Sequence, residues 1–100
     1  GGQIGAIVEL NCETDFVART PEFKALAHDI AMQVAAMAPV YIDHTDVPED
    51  EDSLSDDSLL MHQTFIRDPS KAMQDLLSEA IGKLGENIVI RRFTRFSLGD

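Results

Sequence analysis

The run Ile4-Gly5-Ala6-Ile7-Val8-Glu9-Leu10-Asn11-Cys12-Glu13-Thr14-Asp15-Phe16-Val17-Ala18 decides how this chain folds. Ile4, Ala6, Val8 and Leu10 alternate with Gly5, Ile7, Glu9 and Asn11, the period of a strand with one mainly apolar face. Ile7 interrupts the polar face and predicts a strand partly covered on both sides. The strand should fade near Asn11-Cys12, because Asn11, Glu13, Thr14 and Asp15 are turn-tolerant. Phe16 and Val17 then return to apolar character. The segment places an exposable acid beside a large aromatic in a turn too short to bury both. Phe16 therefore reads either as a core residue sealing the following helix or as the tip of a contact loop.

That helix opens at Thr20-Pro21-Glu22-Phe23. Thr20 can cap free amides, Pro21 suits the first turn, and Glu22 lies near the positive helix end. Phe23, Leu26, Ala27, Ile30, Val34 and Met37 recur at helical spacing as one buried stripe. Lys24 and Asp29 fall on the other side, Ala35, Ala36 and Ala38 permit close packing, and Pro39 ends the helix. Val40-Tyr41-Ile42 predicts a short edge strand. Leu59–Ile66 predicts a second long strand, or a helical turn leading into one. Asp68-Pro69-Ser70-Lys71 is a second helix start with Asp68 as cap. Its stripe is Met73, Leu76, Leu77, Ala80, Ile81 and Leu84, with Glu79 and Lys83 paired four apart and Gly85 ending it in a left-handed conformation. Ile88–Leu98 is the last strand. Arg92 shares the parity of the apolar residues there, so a bulge is expected to shift the register.

The order is strand, helix, short strand, acidic loop, strand, helix, strand. It predicts an α+β domain, a small antiparallel sheet with helices packed on one face. One hundred residues, 44% of them hydrophobic, fit a single domain over 1–100 with a small core that a partner subunit could reinforce.

Acids outnumber bases 18 to 8, a formal charge of −10, which argues against direct nucleic-acid binding. The imbalance is local: residues 43–57 hold eight acids and no base, and read as an acidic surface loop. Asp50, Asp52, Asp56 and Asp57 lack the glycine and terminal glutamate of a calcium-binding EF-hand, so no metal site is expected among them. Arg91, Arg92 and Arg95 are the densest positive charge and are expected to form a solvated face or neutralise nearby carboxylates; an RNA or phosphate contact is the sharper alternative, supported by only a few charges. Cys12 is the only cysteine, which excludes an internal disulfide and reads as a small structural thiol. No apolar run reaches membrane-spanning length, and no secretory signal pattern opens the chain. The Gly1-Gly2 start reads as a piece of something longer or a remnant of tag removal.

Nothing here composes an active site. His28, His44 and His62 are scattered in sequence and predicted to lie in different environments. Cys12 has no nearby base to favour a thiolate. Glu13 and Asp15 share a side of an extended chain but have no substrate groove. There is no Walker A loop and no Rossmann fingerprint. No cofactor, catalytic residue or metal ligand is expected, and a binding module is favoured over an enzyme. Asp15-Phe16 has the chemistry for that: an aromatic to enter an apolar pocket and a carboxylate to perturb a partner's electrostatics.

Several blocks resemble the core domain of the bacterial and organellar elongation factor Ts family. They are Gly5 through Arg19, Asp29-Ile30-Ala31-Met32-Gln33-Val34-Ala35-Ala36, Gln63 through Lys71, and Gly85-Glu86-Asn87-Ile88 through Arg91-Arg92-Phe93. The resemblance implies guanine-nucleotide exchange on elongation factor Tu, promoting GDP release during translation elongation, with no covalent chemistry in this chain. The family's Thr-Asp-Phe-Val sequence stands here as Thr14-Asp15-Phe16-Val17. By resemblance, Phe16 wedges into the partner near its magnesium and phosphate region, Asp15 is the polar companion, and Thr14 and Val17 shape the loop. Magnesium and nucleotide would belong to the partner. The implied setting is a bacterial cytoplasm, a chloroplast stroma or a mitochondrial matrix.

Two departures qualify the implication. Family members usually begin with a small helical domain that also grips elongation factor Tu. Its absence here implies weaker binding or exchange. Many also carry a longer charged helical segment where residues 43–57 stand. Homodimerisation is a further expectation, and a structural or ribosome-associated role is the alternative function.

Overall fold

A computed structural model describes residues 3–51 and 54–98. The long strand β1 (Gln3–Asn11) pairs antiparallel with β2 (Val89–Leu98) in a two-stranded sheet. Between them come a single helical turn α1 (Asp15–Ala18), the long helix α2 (Pro21–Met37), three 3-10 turns (His44–Asp46, Asp56–Ser58 and Leu60–His62) and helix α3 (Met73–Leu84). The α+β class is as the sequence predicts.

Helix α2 starts as predicted. The Thr20 hydroxyl accepts from the Phe23 amide at 3.2 Å, and Pro21 occupies the first turn. The helix ends at Met37, with Ala38 left-handed at φ 47° ahead of Pro39. Phe23, Leu26, Ile30 and Val34 are buried, but Met37, at the end of the predicted stripe and the last residue of the helix, is exposed. In the core α2 meets Ala6, Val8 and Leu10 of β1 together with Ile88, Ile90 and Phe93. Burial of each large aliphatic chain contributes about 1.5–3 kcal/mol. Ile7, expected to be partly covered, is exposed, because none of the described residues forms a layer over the outer sheet face.

The expected bulge is present. Glu9 pairs with Arg92, but Leu10 pairs with Ile90, so Arg91 is the extra residue. The shift keeps Ile90 and Phe93 on the core side. Arg92 is thereby freed to the surface, where its Nε donates to Glu9 Oε1 at 2.8 Å. Beyond the bulge Phe96 lies opposite Gly5, and a Cβ on Gly5 would sit 2.5 Å from the Phe96 ring.

Two predicted strands are absent among the described residues. Val40–Ile42 supplies only a parallel bridge, between Tyr41 and Leu59. Leu59–Ile66 is 3-10 turn and irregular chain, although Leu59, Leu60, Met61 and Phe65 are buried. A strand there would require a continuous partner, and α2 supplies a side chain instead. Gln33, fully buried, donates from Nε2 to Gln63 Oε1 at 3.1 Å and to the Thr64 carbonyl at 3.0 Å. Its Oε1 accepts from the Ile66 amide at 3.0 Å. Gln63, also buried, passes the network on by donating to the Asp57 carbonyl at 2.7 Å.

The second helix start also moves. Asp68 accepts from the Ser70 amide and hydroxyl in a local turn, and α3 begins at Met73. Asp75 reaches back to the Ala72 amide at 3.0 Å. The reason is the antiparallel bridge between Thr64 and Ala72, which holds 64–72 as a closed loop before the helix can begin. Lys71 takes Glu79 at 2.8 Å, the residue expected to pair with Lys83. Gly85 ends α3 at φ 75°, as predicted. Only Met73 of the α3 stripe is fully buried. Leu76, Leu77, Ala80, Ile81 and Leu84 are half-buried against α2 and the 60–62 turn.

Candidate functional site

The 11–18 turn is built between two threonines. Thr14 is extended, and its hydroxyl accepts from the Val17 amide at 3.3 Å, capping α1. Thr20 closes the other end: its hydroxyl donates to the Val17 carbonyl at 2.7 Å while capping α2. One helical turn has one inward position, and Val17 holds it, 6% exposed. Phe16 precedes it by about 100° of helical rotation and points to solvent, 83% exposed. The core-seal reading of Phe16 is thereby removed. An uncovered phenylalanine forgoes about 1.5–3 kcal/mol of burial, which a partner pocket can recover. Asp15, also exposed, forms no ion pair among the described residues.

The turn is locked from the far end of the chain. Glu86 Oε1 accepts from the amides of Glu13 at 3.1 Å and Thr14 at 3.0 Å, and its Oε2 accepts from the Thr14 hydroxyl at 2.6 Å. Glu13 returns the contact, accepting from the Asn87 amide at 2.6 Å. Gly85 makes this clamp reachable, because its left-handed turn redirects the chain at the end of α3. Glu13 and Asp15 are thus not a working pair of carboxylates; Glu13 is a structural acceptor. The sequence reading did not find Glu86. The available signal was a glycine ending a helix and followed at once by an acid, but its partner lies 72 residues away.

Cys12 is half-buried and donates from Sγ to the Thr14 carbonyl at 3.2 Å, a structural role. Beside the turn, Glu9 is held below the usual carboxylate range, first by the Arg92 hydrogen bond and then by Asn11, with smaller help from the charges of Arg92 and Arg91. Arg95 turns inward and donates to the Ala35 carbonyl at 3.0 Å. Arg91 and Arg92 therefore neutralise Glu9 as expected, whereas Arg95 departs from the expectation and serves a backbone carbonyl of α2.

Two of the three histidines depart from the sequence reading. His28 is exposed on α2. His44 and His62, expected apart, stand edge to face with ring centroids 4.8 Å apart. The peptide segments carrying them are joined by backbone hydrogen bonds between 41–42 and 60–61, a long-range pairing that spacing in sequence does not reveal.

The family model described as Elongation factor TS matches residues 1–53. The chain is 42% identical to elongation factor Ts of Coprothermobacter proteolyticus, over 99% of this chain and 66% of that protein. It is 44% identical to elongation factor Ts of Thermoanaerobacter pseudethanolicus, over 100% of this chain and 64% of that protein. The figure for the Moorella thermoacetica protein is 38%, over 100% and 64%. The chain thus spans just under two thirds of these relatives. The last two alignments run over 130 positions, so at least 30 of those positions have no counterpart in this 100-residue chain.

Proposed function

Because the chain belongs to the elongation factor Ts family, we propose that it is a guanine-nucleotide exchange module acting on elongation factor Tu. The observation that carries the reading is Phe16, a large apolar side chain held 83% exposed on a turn that is itself clamped in place. Phe16 is the wedge, Asp15 its polar companion, Thr14 the cap that fixes the turn, and Val17 the inward anchor. The mechanism is reciprocal coupling. A module that binds the nucleotide-free partner more tightly than the GDP-bound partner must weaken GDP by the same factor. The chain then needs no nucleophile, general base or metal for exchange. The bacterial relatives support a cytoplasmic setting, and no helix among the described residues is long and apolar enough to cross a membrane.

Release of a fluorescent GDP analogue from elongation factor Tu tests this. The intact chain is expected to accelerate release, and Phe16→Ala to lose most of that acceleration. With its side chain already in solvent, the variant should keep its stability within about 0.5 kcal/mol. Absence of acceleration at saturating chain, with capture of the partner retained, would favour a docking role over exchange.

A second reading concerns assembly. Two-stranded ribbons are marginal alone, and this one exposes Ile7 and Phe96 on its outer face. These residues support pairing of two copies through the outer sheet face. Sedimentation equilibrium of the wild type and of Ile7→Lys tests it: a dimer converted to monomer supports the pairing, and a monomeric wild type removes it.

A further inference from the structure

We propose that Asp43, His44 and His62 form a binding site for one divalent transition-metal ion of the zinc class, at the base of the acidic segment. The proposal is independent of the partner reading. One ligand atom from each residue can be chosen so that all three lie within 4.8 Å of one another. Bonds of about 2.0–2.1 Å in a tetrahedral site place ligand atoms roughly 3.3 Å apart, so closure needs side-chain adjustments of little more than an ångström. His44 is exposed, and Asp43 and His62 are half-buried, so the cluster is open to an ion from solvent.

The backbone beneath the cluster is already assembled. The Leu60 amide donates to the Tyr41 carbonyl at 2.8 Å and the Met61 amide to the Ile42 carbonyl at 3.0 Å, fastening the chain just before His62 to the chain just before Asp43. The 43–46 turn has its own brace: Asp43 Oδ1 accepts from the His44 amide at 2.8 Å, and Asp46 Oδ2 accepts from the Asp43 amide at 3.1 Å. Leu60 and Met61 anchor the His62 turn in the core.

The two nitrogens of His62 have different neighbours. Nε2 faces Asp43 Oδ1 at 3.5 Å, and Nδ1 faces Asp56 Oδ1 at 3.5 Å. A metal on Nε2 would leave Nδ1–H directed at a carboxylate, the arrangement that fixes the tautomer and orientation of metal-bound histidines. Two imidazoles and one carboxylate select zinc, cobalt, nickel or copper over magnesium or calcium, which prefer all-oxygen shells. Eight acids without a base across residues 43–57 raise the local concentration of cations. With three protein ligands the fourth position falls to water.

Calorimetric titration of the full chain with zinc ion alone, in parallel with magnesium ion alone, is the test. The expected result is one zinc per chain, with saturable binding abolished in both His44→Ala and His62→Ala and unchanged in His28→Ala. Asp56→Asn should weaken binding about tenfold. Cobalt ion added to the wild type should give the intense visible absorption of a four-coordinate site, a readout that needs no variant to fold. Overturning results are no saturable zinc binding, zinc binding that survives in both histidine variants, magnesium binding of equal strength, or a weak six-coordinate cobalt spectrum.

Discussion

The hydroxyl of Thr14 donates to Glu86 at 2.6 Å while accepting from the Val17 amide at 3.3 Å, so one oxygen ties the exposed Phe16 turn to the far end of α3. Glu86→Ala is expected to lower stability by about 1.5–3 kcal/mol in total, since three hydrogen bonds share one carboxylate and do not add. Urea unfolding measures it. Amide exchange at Thr14 should quicken more than at Ile30 in the core. A loss below about 0.5 kcal/mol would show the clamp to be incidental.

Gln33 is the polar residue with most to lose. Gln33→Ala leaves the Ile66 amide, the Thr64 carbonyl and Gln63 Oε1 without their partner. Gln63 Oε1 is stranded in the interior at a cost of about 1–3 kcal/mol, and the partly buried Ile66 amide and Thr64 carbonyl add less, so the variant should fall by about 2 kcal/mol or more. At about 4–8 °C per kcal/mol for a domain of this size, a thermal scan resolves the change easily. Gln33→Glu should also destabilise, because a carboxylate oxygen would face two acceptors.

Ala38 is an L-residue in the left-handed region, at φ 47°. The conformation costs a non-glycine residue about 1–2 kcal/mol, and glycine's extra freedom in the unfolded chain offsets about 0.4–1 kcal/mol of the relief. Ala38→Gly is therefore expected to stabilise by roughly 0.5–1 kcal/mol. A lower melting temperature would contradict that strain.

The pH dependence follows from hydrogen bonds at the surface. Glu9 and Asp68 titrate below their ordinary range, Glu9 chiefly because Arg92 donates to it and Asp68 chiefly because the Ser70 hydroxyl does. Their contribution is complete above the unfolded carboxylate values, about 4, and is lost as pH falls through the depressed folded values. Lys71 and Tyr41 are raised, chiefly by hydrogen bonds to Glu79 and Glu51. Their contribution is present below about pH 10 and is lost as pH rises through the raised values. Glu9→Gln should flatten the acid limb of a melting-temperature profile, and Glu79→Gln the alkaline limb.

Periodicity and capping made β1, α2, the end of α3 and the β2 bulge legible, because each is a local signal. Thr20-Pro21 carries its own start, and Gly85 its own stop. Within 40–72 the strands expected at 40–42 and 59–66 and the helix start at Asp68 do not form, because conformation there is decided across the chain. Leu59–Phe65 has strand-like composition, but Gln33 on α2 takes the hydrogen bonds a strand would need. Asp68-Pro69 is a good helix start overruled by the Thr64–Ala72 bridge. In the candidate site, the family resemblance singled out Phe16, while pattern alone left it between core and contact. Glu86 and the meeting of His44 with His62 depend on long-range placement.

The pairing of β1 with β2 sets Gln3 beside Leu98. The polypeptide thus passes into and out of the fold through one doorway, at the end of the ribbon away from Asn11 and the Phe16 turn. Nine residues of strand separate the two ends, roughly 27 Å at 3.4 Å per residue. Whatever cargo is tethered at the doorway, such as a fluorophore, a surface linker or another folded unit, would hang a ribbon's length from the tip and leave its approach unobstructed. Joining residues 3 and 98 by a short loop and reopening the chain within 47–51 should give a circular permutant with the same tip.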